Sequence, residues 1–187
     1  MSEYRQKHPK VELWLGENTT SVLLEQWREG RLDFAFLRPA MGEAGNMRTR
    51  LLFEEEMCVA LPARHRLVAS PMLRLVALAD ESFIMYPRAN GRTLYDTIIV
   101  GCRNAGFSPN IGQEAPQMAS TVNLVAAGIG VAIVPASMCQ LQTQGVTYRP
   151  IDGAPIKAAL SLTYRDDPLS AAMTAFLSTV TRAAARL

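Results

Sequence analysis

Arginine, threonine and amide side chains recur in this sequence where an apolar stretch gives way to a helix. Arg38 follows the run Leu32 to Leu37, and Arg88, Asn90, Arg92, Thr93 and Leu94 follow Phe83 to Tyr86 and open the next helix. Thr19 and Thr20 stand ahead of a helix carrying Leu23, Leu24 and Trp27, while Gln117 and Met118 precede a helix that ends at Gly128. A guanidinium pairs bidentately with a carboxylate, and the first turn of a helix offers N–H donors and the positive end of its dipole. The chemistry these residues point to is therefore anion binding. The loop 88–94 is the foremost contact region, with Leu94 available to a ligand's apolar body. Each residue also has a plainer reading: Thr19 and Thr20 as N-caps, Arg38 as a solvated loop arginine, Met118 as core packing.

Residues that make or break bonds are not in evidence. Ser137 lacks the G-x-S-x-G context of a nucleophile, and His8 and His65 lie in polar stretches as neither ligands nor bases. Cys58, Cys102 and Cys139 are an odd number without a C-x-x-C or paired histidines. They read as reduced, mostly buried thiols, so no metal site, disulfide or cofactor is expected.

The elements that must hold these residues follow the apolar pattern. The stretch Asn123 to Ser137, N-L-V-A-A-G-I-G-V-A-I-V-P-A-S, reads as a helix end, a two-glycine turn, a strand buried on both faces and a proline stop. Val11 to Leu15 alternates as a strand does, Gly30 stops the helix after it, and Leu32 to Leu37 is the next strand. Strand, helix and strand in that order imply a right-handed parallel crossover. Pro39 to Met47 is a loop. Leu51 to Phe53 and Met57 to Leu61 form one long extended segment interrupted by Glu54 to Glu56. A short helix through Leu75, Leu78 and Ala79 comes next. After the strand Phe83 to Tyr86, a helix with Leu94, Ile98, Cys102 and Ala105 on one face ends at Gly106. Ile111 to Ala115, Val146 to Ile151 and Leu160 to Tyr164 are further strands. Asp167-Pro168 has the form of a helix start, ahead of a helix burying Leu169, Ala172, Phe176, Leu177 and Val180.

A chain of 187 residues, 49% hydrophobic and 19% charged with a net charge of +2, can bury a sizeable core as one domain or two small lobes. The charges are scattered, so no nucleic-acid-binding face is expected. No apolar run approaches the roughly 20 residues of a membrane span, and the polar start M-S-E-Y-R-Q-K-H-P-K has no signal core, so a cytoplasmic location is expected.

Taken together, the stretches H-P-K-V-E-L (8–13), E-G-R-L-D-F-A-F (29–36), L-L-F-E-E-E-M-C-V-A-L-P (51–62), L-V-A-A-G-I-G-V-A-I-V-P (124–135) and L-S-L-T-Y-R (160–165) resemble the effector-binding domain of LysR-type transcriptional regulators. Y-P-R (86–88) and V-P-A-S (134–137) look closest to regulators of aromatic-compound catabolism. The resemblance implies an α/β fold of two Rossmann-like lobes joined by two crossover strands, like a type 2 periplasmic binding protein. Lobe one would be residues 1–55 with 158–187, lobe two residues 56–157, and the segments 51–61 and 159–165 the crossovers. It implies a small effector, carboxylated and in the aromatic branch aromatic, bound between the lobes. Thr20 would sit at that cleft and the loop 88–94 on the facing wall. It also implies homodimers, tetramers in the full-length regulator, and DNA contact only through a helix-turn-helix absent from this chain. Tyr4 to Pro9 resembles the tail of the family's first helix, so the first strand, which contributes to the effector pocket, is expected to be missing. An enzyme on the same bilobed fold, prephenate dehydratase-like or deaminase-like, would need a Thr-Arg-Phe at a helix start or an acid–base pair, and neither is found. A transport solute-binding protein would need the export signal that the start lacks.

Overall fold

The computed structural model describes residues 1–38 and 47–186. The expected loop over Pro39 to Met47 therefore lies outside the described residues, apart from Met47. The chain divides into two compact units, Met1–Glu54 with Ala159–Leu187 and Glu55–Ala158. Two strands run through the boundary, β2 (Met47–Pro62) and β8 (Lys157–Arg165).

The first unit contains α1 (Ser2–Lys7), α2 (Thr20–Arg28), β1 (Phe34–Leu37) and α5 (Ala171–Ala184). β1 pairs antiparallel with β8, from Phe34 opposite Tyr164 to Leu37 opposite Ser161. Tyr4 fixes the short α1. Its buried ring lies edge-on to Phe176 at 5.2 Å, and its hydroxyl donates to the Ala172 carbonyl at 2.9 Å. The apolar face of α2 puts Leu24 against Ala35 and Leu37. Gly30, at φ +76°, ends that helix in the left-handed conformation glycine adopts without a Cβ clash.

The second unit shows why its strands are so apolar. Met57, Val59 and Leu61 of β2 enter one core cluster, and Cys58 and Ala60 enter another. The same alternation splits Phe83 and Met85 from Ile84, and Val131 and Ile133 from Ala132 and Val134. Side chains of a strand alternate faces, so a run with no polar member is a strand buried on both. β2 pairs antiparallel with β6 (Ala132–Pro135) and with β7 (Val146–Asp152), and β7 runs parallel to the two-residue β3 (Leu73–Arg74). Beyond β6, a parallel bridge joins Val131 to Phe83 of β4 (Ser82–Met85), and β4 pairs parallel with β5 (Asn110–Glu114). The helices α3 (Arg92–Asn104) and α4 (Met118–Ala126) connect these parallel strands.

Three expectations are corrected. Val11 to Leu15 is not a strand: the chain is open there, and no described residue pairs with the backbone of 12–18. The strand–helix–strand crossover expected at the start is consequently not formed. The last helix begins at Ala171 rather than at Asp167-Pro168, because Ser170 caps it, its Oγ accepting the Met173 N–H at 3.2 Å. The short helix through Leu75 and Leu78 is a single 3-10 turn, Leu75–Leu78, ending at Ala79. By contrast, the extended segment broken by glutamates in the sequence is one continuous 16-residue strand, β2. The Ser170 cap carries a prediction. Ser170→Ala should destabilise the first unit by about 1 kcal/mol, measured as a lowered urea midpoint with unchanged slope.

Candidate functional site

In the second unit, β4 and β5 are parallel neighbours whose carboxyl ends, Met85 and Glu114, lie opposite each other. Each leads within a few residues to a helix start, α3 at Arg92 and α4 at Met118. The third parallel chain, from Val131 through β6, ends at Pro135 and turns into the 3-10 segment Ala136–Leu141. This edge of the sheet therefore gathers two helix N-termini, whose first-turn N–H groups have no acceptor within their own helix. It is the crevice position where open α/β sheets take ligands.

The loop entering α3 is tightly made. Asn90 N–H donates to the Pro87 carbonyl at 2.9 Å. Gly91 is the N-cap, and a Cβ there would fall 2.6 Å from the Tyr86 ring, so the close approach of the loop to that ring requires glycine. Arg92 is exposed and Thr93 half-buried at the start of the helix. Leu94, expected against a ligand's apolar body, is instead a core residue, 6% exposed and packed in the cluster that holds Phe83 and Ile98. Arg88 grips Asp96 of α3 with both arms of its fork, Nε to Oδ1 at 2.7 Å and Nη2 to Oδ2 at 2.9 Å. The hydrogen-bonded Arg88 guanidinium holds the Asp96 carboxyl below its usual range, with the Arg92 charge adding in the same direction. That pair is present above the carboxylate's ordinary titration and is lost as pH falls through the lowered value. Arg88 thus fastens the loop to α3, and Arg92 remains the guanidinium at the helix start with no ion pair to a described residue.

Gln117 is the exposed N-cap residue of α4, and its carbonyl accepts both the Thr121 N–H and the Thr121 hydroxyl. Met118 is half-buried and packs against both core clusters, as its plainer reading had it. The sequence did not reveal Glu55, whose carboxylate accepts the Ser137 N–H at 2.9 Å and so fixes the turn after β6. The partners stand 82 positions apart, and no local pattern announces such a contact.

In the first unit, Thr19 is the N-cap residue of α2 and Thr20 its first residue. The Thr19 hydroxyl lies 3.0 Å from that of Ser21 and makes no cap bond. Arg38 leaves the carboxyl end of β1 and donates to the Ala159 carbonyl at 3.4 Å. This unit also holds a cavity of about 660 Å³, bounded on one side by residues 11–18, on the other by 31–36, and floored by Tyr4 and Phe176. Trp14 and Leu15 beside it are 73% and 64% exposed.

Among the described residues, no group of three or more His, Cys, Asp or Glu is arranged to hold a metal, and no helix is long and apolar enough to cross a membrane.

The sequence matches the family model described as LysR substrate binding domain over residues 1–185. It is 34% identical over 165 residues to the HTH-type transcriptional regulator AlsR of Bacillus subtilis (strain 168), covering 88% of this chain and 54% of that protein. It is 30% identical over 163 residues to BudR of Raoultella terrigena, covering 87% and 56%, and 36% identical over 140 residues to CatR of Pseudomonas putida, covering 74% and 47%. The chain thus spans about half the length of the curated relatives it matches. A solved structure of the BenM effector binding domain with its effector benzoate is similar at a TM-score of 0.84 and 26% identity, over 99% of this chain and 84% of that one. Full-length CbnR complexed with its target DNA is similar in fold at a TM-score of 0.85 and 20% identity, over 98% of this chain and 64% of that one.

Proposed function

This chain belongs to the LysR substrate binding domain family, and on that premise we propose that it senses a small carboxylated effector on behalf of a transcriptional regulator. Its relatives are named transcriptional regulators, and the family is regulatory rather than enzymatic. The observation that carries the carboxylate is the edge of the second unit, where adjacent parallel strands deliver the first turns of α3 and α4 side by side. Arg92 supplies charge, and Asn90, Thr93 and Gln117 supply polar groups, while Arg88 positions the loop by holding Asp96. Met118 and Leu94 are assigned as apolar support beneath that edge. An aromatic body for the effector is supported by the relative whose effector is benzoate.

In the complete regulator, effector binding shifts the population between two arrangements of the domain. That shift changes the geometry of a dimer or tetramer, and through it the DNA contacts of a helix-turn-helix outside this chain. Effector must then bind one arrangement more tightly than the other. The two lobes of this reading are residues 1–55 with 158–187 and residues 56–157. The cavity beside β1 is read as the position of one more strand, since an extended apolar segment there would pair with the open edge of β1 and cover Trp14 and Leu15.

Calorimetric titration with small carboxylates and their matching neutral amides tests the proposal. A carboxylate should bind with its amide at least tenfold weaker, because the amide brings no charge to the helix dipoles or to Arg92. Equal binding of acid and amide would remove the electrostatic reading.

A further inference from the structure

Two of the three cysteines meet. Cys58 of β2 and Cys139 of the 3-10 segment Ala136–Leu141 are 81 positions apart in sequence, yet their sulfurs lie 3.4 Å apart. Cys58 is 6% exposed, whereas Cys139 is only half-buried. β2 is held on both flanks, with Cys58 opposite Val134 of β6 and Pro150 of β7. The turn bearing Cys139 is fastened by the Ser137 N–H to the Glu55 carboxylate of the same strand. The two thiols are thus presented to each other by backbone that is already fixed. A disulfide would bring the sulfurs from 3.4 Å to the bonding distance of about 2.0 Å.

We propose that Cys58 and Cys139 form a modification site, a dithiol that a peroxide-class oxidant converts to an intramolecular disulfide. In the first step the Cys139 thiolate attacks one peroxide oxygen. The O–O bond breaks, Cys139 becomes a sulfenic acid, and the second oxygen leaves as hydroxide, which takes up the proton released from Cys139. In the second step the Cys58 sulfur attacks the Cys139 sulfur and the S–O bond breaks. The departing hydroxide takes the Cys58 proton, so the thiols lose two electrons and the peroxide ends as two waters. Burial, the neighbouring Cys139 and the Glu55 charge push the Cys58 thiol up, which keeps it protonated until it serves as the resolving sulfur. Cys102 is fully buried, its thiol raised to about 11 by burial, and serves as an internal control. The bond would pin the turn after β6 to the strand it packs on. The proposal stands independently of the effector reading.

Intact mass and peptide mapping of the folded protein after brief hydrogen peroxide treatment test it. The expected product has lost two hydrogen atoms, carries a peptide link between positions 58 and 139, keeps the Cys102 thiol, and returns to the starting mass with a dithiol reductant. Cys102→Ser should behave as the parent. Cys139→Ser should form no link, and its melting temperature establishes that it folds. Addition of oxygen atoms at Cys139 without a link, no reaction under conditions that oxidise a free surface thiol, or a link that appears only after unfolding would overturn it.

Discussion

Replacing Gly130 with alanine should cost at least about 3 kcal/mol, toward the upper end of what overpacking a fixed interior costs. A Cβ at this position would sit 2.4 Å from the Ser82 carbonyl oxygen and 3.2 Å from its carbon, both backbone atoms that cannot swing aside. The same Ser82 carbonyl accepts the Val131 N–H at 2.8 Å, and the Val131 carbonyl accepts the Ile84 N–H at 2.8 Å. Those two bonds hold β6 to β4, so relieving the clash lengthens the contacts that align the carboxyl ends of the parallel strands. For a chain of this size the loss corresponds to a fall of roughly 6–12 °C in melting temperature, and ligand binding at that edge should weaken with it. Gly128→Ala is the comparison. Gly128 has φ +78° but open space around the added carbon, so its cost is the left-handed conformation alone, about 1–2 kcal/mol. Equal costs for the two, or a larger one at Gly128, would show that the β4–β6 approach is not tight.

Phe83→Ala should be of similar or greater severity, about 3–5 kcal/mol. Phe83 is fully buried in β4 between the bridge to Val131 and the ladder to β5, and its ring lies 6.1 Å from that of Phe107. The cavity left by the ring would be lined by strands fixed on both sides, so collapse can recover little. Because total stabilities of domains are about 5–15 kcal/mol, this one change removes a large share. Phe83→Leu, which keeps most of the volume, should cost less than half as much in urea unfolding. A loss under 1 kcal/mol for Phe83→Ala would mean that the cluster around Phe83 is not the centre of the second unit's core.

How much of this was legible follows from how local each signal is. The runs at 57–61, 83–85 and 131–134 read as strands because every residue is apolar, and the structure shows each splitting its side chains between two cores. The glycines marking helix ends, Gly30, Gly106 and Gly128, all have positive φ, a requirement visible from residue type alone. The alternation at Val11 to Leu15 was equally plain, but a strand exists only with a neighbour, and none of the described residues supplies one. Asp167-Pro168 looked like a helix start and lost to Ser170 three positions on, two adequate caps that only the packing of α5 could rank. In the candidate site, the chain positions were readable while the side-chain partners were not. That Arg88 is committed to Asp96, that Leu94 turns into the core and that Cys58 meets Cys139 depend on how the loop and the turn after β6 fold over their own elements.

Polar groups at the first turns of α3 and α4 are proposed to bind a small carboxylated effector. Thermal unfolding of the chain against benzoate, substituted benzoates, muconate, hydroxycinnamates and aliphatic diacids tests this, with Arg92→Ala alongside. A ligand at 100 times its dissociation constant adds about 2.7 kcal/mol, or roughly 5–10 °C here. A shift of that size is expected for one chemical class of carboxylate, greatly reduced in Arg92→Ala while its unliganded melting temperature stays near the parent's. A shift that survives the substitution unchanged, or sharp unfolding that no carboxylate moves, would contradict it.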